Sequence, residues 1–226
     1  MDARRAMIAD IEAKTAEIAD VTGRKRLGPR VLGALAKVRR EAFVAEQEAP
    51  YAYADRPLPI GHGQTISQPF IVALMTELLD LVPGDTVLEV GTGSGYQAAI
   101  LAELVRHVYT IEVIPELAPR AHDALAHEGY TNIDGRCGDG AAGWPEHAPF
   151  DAIIVTAAAP GIPPALVEQL RPGGRMILPL GRGLFEQSLV LVEKSAGGEV
   201  TTRDVLPVAF VPLTHPRRSS DGAVPR

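Results

Sequence analysis

The chain opens on a helical period. Ile8, Ile11, Thr15 and Ile18 recur at spacings of three and four among charged residues, so 2–21 is expected to form an amphipathic helix that Gly23 ends. Pro29 suits a first helical position, and Val31, Leu35 and Val38 give the second helix its apolar face. Residues 49–66 are rich in Pro, Gly and Tyr and read as one irregular stretch. Loops of that length in compact domains are usually functional or floppy.

After residue 67 the period changes. Ser67 is placed as the N-cap, and Pro69 just inside, of a helix reaching about residue 81. Short apolar runs at 86–90, 108–112 and 150–155, with a weaker one near Ile133, alternate with helical patterns ending near 105, 128 and 170. Pro83-Gly84-Asp85 and Pro172-Gly173-Gly174 read as turns, and 176–180, 189–193 and 205–211 complete the strands. Strands alternating with helices predict βαβ units. The runs at 86–90 and 150–155 are apolar throughout, as strands buried on both faces are. The expected fold is a Rossmann-like three-layer α/β/α sandwich with a mostly parallel sheet and an N-terminal helical extension. Residues 1–214 are expected to form one domain, with 1–66 as N-terminal helices and loop and 67–214 as the core. The Pro-, Ser- and Arg-bearing tail 215–226 has little apolar content and is expected to be disordered.

Composition narrows the classes. The 226 residues are 46% hydrophobic and 22% charged, which excludes a disordered chain, and the net charge of −6 argues against a non-specific nucleic-acid binder. Cys137 is the only cysteine, so neither an intramolecular disulfide nor a paired-cysteine zinc site is available, and it is expected to pack buried or half-buried. The uncharged stretch 152–167 holds three prolines and is too short to span a membrane, and no apolar signal core opens the chain. A soluble, cytoplasmic monomer without a membrane partner is expected. The six histidines are scattered and read as surface or satisfied core residues, and Trp144 as packing for a loop.

The strongest local signal is Glu89-Val-Gly91-Thr92-Gly93-Ser94-Gly95, between an apolar strand and a helix. Glycines let a ligand approach the main chain, and the helix start offers free N–H groups. The third glycine comes one residue too early for the dinucleotide fingerprint, and no triphosphate-binding loop is present. Glu112 ends the next strand about 20 residues on, where an acid can accept from both ribose hydroxyls, or simply be solvated. Asp139-Gly140 follows the third strand, as an adenine contact or as a turn pair. Three such elements at the carboxyl ends of successive strands suit a nucleoside-shaped ligand.

Two further segments carry more specificity. Gly61-His-Gly-Gln64-Thr65-Ile66-Ser67-Gln68-Pro69 and Phe210-Val-Pro-Leu213-Thr214, together with the glycine loop, FDAIIVTAAAP and LRPGGRMILPLG, resemble the protein-L-isoaspartate O-methyltransferases over about 29–214. The resemblance implies methyl esterification of L-isoaspartyl and D-aspartyl carboxylates in damaged proteins and peptides, with S-adenosylmethionine as cofactor and succinimide-mediated repair. It implies Ser67 as the active-site residue. Cofactor contacts are implied for Gln64, Thr65, Ile66, Ser67, Glu89, Gly91, Thr92, Gly93, Ser94, Glu112, Asp139, Gly140 and Thr214. Substrate contacts are implied for Ile60, Gly61, Thr65, Ile66, Ser67, Thr156, Ala157, Ala158, Val211 and Leu213. The segment Arg39-Arg40-Glu41-Ala42-Phe43 is a looser version of the family's usual one, and His62 stands where an aromatic or amide residue is usual.

That chemistry suits what the chain lacks. A carboxylate is already ionised near neutral pH and needs no strong base, and no G-x-S-x-G, H-E-x-x-H or metal-spaced histidine cluster is present, so no metal is expected. Ser67 then reads as a positioning hydroxyl. Rival readings are another class I methyltransferase acting on RNA or a small molecule, the same ester chemistry on a dedicated peptide, and a non-catalytic cofactor sensor.

Overall fold

The apolar runs assemble into one twisted seven-stranded sheet in a computed structural model that describes residues 2–181, 183 and 186–215. Its strands are β3 (Thr86–Val90), β4 (His107–Glu112), β5 (Ile133–Cys137), β6 (Phe150–Val155), β7 (Leu170–Gly181), β8 (Gln187–Lys194) and β9 (Val200–Val208), in the order β5-β4-β3-β6-β7-β8-β9. The five strands from β5 to β7 are parallel, and β8 and β9 run antiparallel to their neighbours. The order reverses at β3, so a crevice opens between the chain leaving β3 and the chain leaving β6.

Each face of the sheet buries alternate residues. Val87, Val108, Ile154, Ile177 and Leu191 face a thick layer of helices α1 (Ala3–Glu17), α3 (Pro29–Lys37), α4 (Pro69–Leu78), α5 (Tyr96–Ala102) and α6 (Leu117–His127). Leu88, Val90, Ile153, Val155, Met176 and Leu178 face a thinner layer of α7 (Pro164–Gln169) and the loop carrying Trp144. Fully buried Leu, Ile and Phe side chains such as Leu74, Leu88 and Phe150 each contribute roughly 1.5–3 kcal/mol.

The predicted first helix is interrupted at Ile18. A short α2 (Ala19–Thr22) follows, and Gly23 ends it in the left-handed region, with φ 73°. Residues 49–66 are more ordered than the sequence suggests, because they contain an antiparallel hairpin of β1 (Leu58–Gly61) and β2 (Gln64–Ile66). The residues joining the two strands, His62 and Gly63, both have positive φ. Ser67 is not the N-cap of α4: Gln68 holds that position, and its side chain makes no cap. Pro172-Gly173-Gly174 lies inside β7, where the register against β6 jumps from Leu170 to Arg175, so the turn survives as a bulge. Strand β9 begins and ends earlier than expected, freeing 209–211 to leave the sheet. Cys137 is exposed rather than packed, because it sits on the edge strand β5. Among the described residues no helix is long and apolar enough to cross a membrane. The tail 216–226 lies outside the described residues.

Candidate functional site

The crevice is built first by glycine. Gly91 has φ 97°, and a Cβ there would lie 2.4 Å from Thr156 Oγ1. Thr156 Oγ1 donates to the carbonyls of Gly91 (2.6 Å) and Val90 (3.1 Å), which clamps the glycine turn onto the end of β6. The Gly91 and Thr92 N–H groups donate to Ile111 O at 2.8 and 3.3 Å, and the Gly95 N–H to Thr92 O at 2.8 Å. Gly140 closes the far side, where a Cβ would lie 2.3 Å from Val90 Cγ1. Bare backbone therefore lines the floor at two points.

Glu112 is only 4% exposed. Its Oε2 accepts the Gly93 N–H at 2.7 Å and its Oε1 the Ile114 N–H at 2.9 Å. Those bonds orient the carboxylate and leave each oxygen with acceptor capacity, as a vicinal diol requires. Asp139 is turned aside: Oδ1 accepts the Ala141 N–H at 3.0 Å, and Oδ2 lies 2.9 Å from His215 Nδ1 at the rim.

Opposite this floor the chain supplies two walls. The hairpin brings Gln64 and Thr65, and the segment after β9 brings Val211, Leu213 and Thr214. That segment is held by the Ala158 N–H donating to Val211 O and the Leu213 N–H donating to Ala158 O, both at 2.8 Å. Gln187 anchors its start, donating to Phe210 O at 3.0 Å and accepting the Phe210 N–H at 2.6 Å. The cleft so enclosed has about 530 Å³ of space and includes Gly91, Gly93, Glu112, Ile114, Gly140 and Thr156. A second, wider groove of about 1210 Å³ lies beside it, between Pro57, Ser67, Gln68, Phe70 and Ile71 on one side and residues 206–211 on the other. Thr65, Thr156 and Val211 line both. Ser67 is half-buried in the groove, and its hydroxyl makes no hydrogen bond among the described residues.

Several sequence-assigned contacts fall elsewhere. Ile60 and Ile66 point into the hydrophobic core. Gly61 is exposed, and Ser94 lines a recess on the outer side of the glycine turn. Ala158 is buried and contributes backbone only. Glu89 and Thr92 lie behind the loop rather than in the cleft. Glu89 is fully buried; its Oε2 accepts from Thr110 Oγ1 at 2.5 Å, and Thr110 Oγ1 lies 2.6 Å from Thr92 Oγ1. Its Oε1 has no partner. Burial pushes the carboxyl up to about 8, with the Glu112 charge adding to the shift and the Thr110 bond opposing it, so it is mostly protonated at neutral pH.

Sequence reasoning missed Ile114, Gln187 and two groups that hold the loop before the hairpin. Arg40 is fully buried and donates from Nε to Ala52 O at 2.7 Å, and its guanidinium lies 4.9 Å from the centroid of the Tyr96 ring. Burial lowers it to about 10. Asp55 accepts the Phe70 N–H at 2.9 Å, a cap for α4 supplied from a distant segment. An acid in a Pro-rich loop ahead of a helix that starts with proline is the signal that could have found it.

The fold and the site define an open α/β protein with a cleft at its switch point, joined to a wider groove. A family model described as protein-L-isoaspartate(D-aspartate) O-methyltransferase matches residues 17–218. The protein-L-isoaspartate O-methyltransferase 1 of Polaromonas sp. (strain JS666) is 58% identical over 207 residues, 92% of this chain and 87% of that one. A protein-L-isoaspartate O-methyltransferase 2 of Syntrophobacter fumaroxidans is 58% identical over 212 residues, 94% and 86% of the two chains. A solved protein-L-isoaspartate O-methyltransferase superposes with a TM-score of 0.80 at 27% identity, covering 93% of this chain and 66% of that one. A Plasmodium falciparum protein described by the same activity, solved with S-adenosyl-L-homocysteine, superposes with a TM-score of 0.77 at 25% identity, covering 93% and 98%. The chain belongs to the protein-L-isoaspartate(D-aspartate) O-methyltransferase family.

Proposed function

We propose that the chain methylates the free carboxylate of L-isoaspartyl, and of D-aspartyl, residues in proteins and peptides, with S-adenosylmethionine held in the smaller cleft and the peptide in the wider groove. The observation that carries this reading is the junction of the two at Thr65, Thr156 and Val211, with the unpartnered Ser67 hydroxyl on the groove side.

The residues present fit that cofactor. Gly91 and Gly140, which must be glycine to pack against Thr156 and Val90, line the cleft beside Glu112, whose carboxylate suits ribose hydroxyls. Gln64, Thr65, Gly140 and Thr214 line the cleft and would hold the rest of the cofactor, with Asp139 at the rim beside His215. When bound, S-adenosylmethionine supplies a methyl group on a sulfonium. That methyl would pass to a substrate carboxylate oxygen, giving the ester and a neutral thioether. Charge is lost in that step, so walls that exclude water favour it. Ser67 donates to the carboxylate and fixes its approach, and positioning of this kind supplies much of the rate. Ala157 and Val211, whose N–H groups are not taken up by the pairing of Ala158 with the segment 211–213, offer backbone to substrate main chain. Residues 1–66 serve the substrate side and 67–214 the catalytic core of one domain. The neighbouring backbone amide nitrogen of the substrate then attacks the ester carbonyl and expels methanol, giving a succinimide that hydrolyses partly to aspartate.

Two peptides identical except for isoaspartate or aspartate at one position test this at mildly acidic pH, where the ester survives. The expected result is one added methyl on the isoaspartyl peptide alone, with a fall in kcat of about 10²-fold in Ser67→Ala and unchanged cofactor affinity. Retained cofactor binding with no methyl on either peptide would overturn it.

A further inference from the structure

We propose that Asp55 is a positioning residue for methyl transfer: pinned by Lys14 of the N-terminal helix, its carboxylate fixes the Ser67–Pro69 turn and so aims the Ser67 hydroxyl. This inference rests on the function proposed above.

Asp55 lies in the loop before β1, yet its side chain is only 9% exposed. A buried carboxylate must be fully engaged, and this one is. Oδ1 accepts the Phe70 N–H and Oδ2 accepts Gln68 Nε2, both at 2.9 Å, and Lys14 Nζ donates to Oδ2. The Asp55 carbonyl accepts Gln68 Nε2 as well, at 3.2 Å.

These bonds meet a specific need of α4. The helix begins at Pro69, which has no N–H, and Gln68 offers no cap of its own. Phe70 carries the first free N–H, and Asp55 takes it. The negative charge also complements the positive end of the helix. Ser67 is then fixed from both sides. Ile66 before it is buried in the core, and Gln68 after it is tied by its side chain to Asp55. Asp55 touches neither the cofactor cleft nor the groove, so any effect on chemistry passes through that turn.

Its own loop is anchored in turn. Arg40 donates to Ala52 O at 2.7 Å and Arg56 O at 3.4 Å, and it stacks on Tyr96, the residue after Gly95. The stretch 52–56 therefore ties the start of α4, which carries Ser67 before it, to the start of α5, which follows the glycine turn. The N-terminal helix gains a role in the site through Lys14.

The test is a double-mutant cycle between Asp55→Ala and Ser67→Ala in the full chain, assayed with the isoaspartyl peptide well below the melting temperature of every variant. Asp55→Ala is expected to lower kcat by about 10–100-fold. Cofactor affinity should stay within about twofold, and the double variant should be no slower than Ser67→Ala alone. Asp55→Asn, which keeps an acceptor for Phe70, should recover part of the loss, and Lys14→Met should lower kcat by less than Asp55→Ala. If Asp55→Ala does not fold, Asp55→Asn takes its place in the cycle, with the same non-additivity expected. A melting temperature that falls while kcat holds, or losses that multiply across the cycle, would overturn the inference and leave the proposed function intact. A wild-type chain that binds cofactor but methylates neither peptide would overturn that function, and this role with it.

Discussion

Glu89 is a carboxylic acid held neutral behind the glycine turn. Its carboxyl is raised to about 8 by burial, whereas in the unfolded chain it titrates near 4.5. The native state therefore binds the proton more tightly. The stability linked to this group is complete below about pH 4.5, falls as pH rises between the two values, and levels off above about 8. At pH 8 the loss should be on the order of 4 kcal/mol. Glu89→Gln, which keeps the shape without the proton equilibrium, is expected to flatten this dependence and to be the more stable protein at pH 8. Urea denaturation at pH 5 and pH 8 checks it; parallel pH profiles for the two proteins would contradict the assignment. The residue scale is also where the sequence was least complete. The acids 89, 112 and 139 were all visible, but only Glu112 faces the cleft squarely. The alternation of β3 turns Glu89 behind the loop, and Asp139 spends its oxygens on Ala141 and His215. Motif spacing carries no information about which face a side chain takes once a turn intervenes.

Elements show a different division. Most strands were legible because apolar runs and glycine or proline turns are local signals, and their alternation with helices gave the mostly parallel sheet though not the strand order. The hairpin 58–66 was not, because its strands are four and three residues long and lean on α4 and the core rather than on their own period. Nor could a sequence show that the segment after β9 folds back on Ala158, since such pairing joins residues far apart in the chain. That segment depends on Gln187, whose amide satisfies both backbone groups of Phe210. Gln187→Leu is expected to leave those groups buried and unpaired, costing about 1–3 kcal/mol. It should also raise the KM for peptide several-fold, with a smaller effect on kcat. Steady-state kinetics with the isoaspartyl peptide, beside a thermal melt, checks both. An unchanged KM would mean that the wall keeps its place without the clamp.

At the scale of the whole molecule, ligand binding and folding are one equilibrium. The cofactor cleft draws on β3, β4, the 139–140 turn, the hairpin and the segment 211–214, so occupancy ties together parts of the chain that fold far apart in sequence. S-adenosylhomocysteine at about 100 times its dissociation constant should stabilise the protein by about 2.7 kcal/mol. For a chain of this length that corresponds to a rise in Tm of roughly 5–10 °C. Glu112→Ala should abolish the shift, because it removes the proposed acceptor for the ribose hydroxyls and releases the Gly93 and Ile114 N–H groups. Scanning calorimetry with and without ligand measures it, and a full shift in the variant would remove Glu112 from the site.

The position of residues 209–214 in the chain has a consequence for biosynthesis. Translation delivers the glycine turn, Glu112 and Ser67 well before the strand pair β8–β9 and the segment that leaves it. A nascent chain can thus close the parallel part of its sheet while the groove still lacks the wall of residues 206–211. Competence for the proposed peptide substrate waits for residues 211–213 to dock on Ala158, so the site comes into being in an order set by the direction of synthesis.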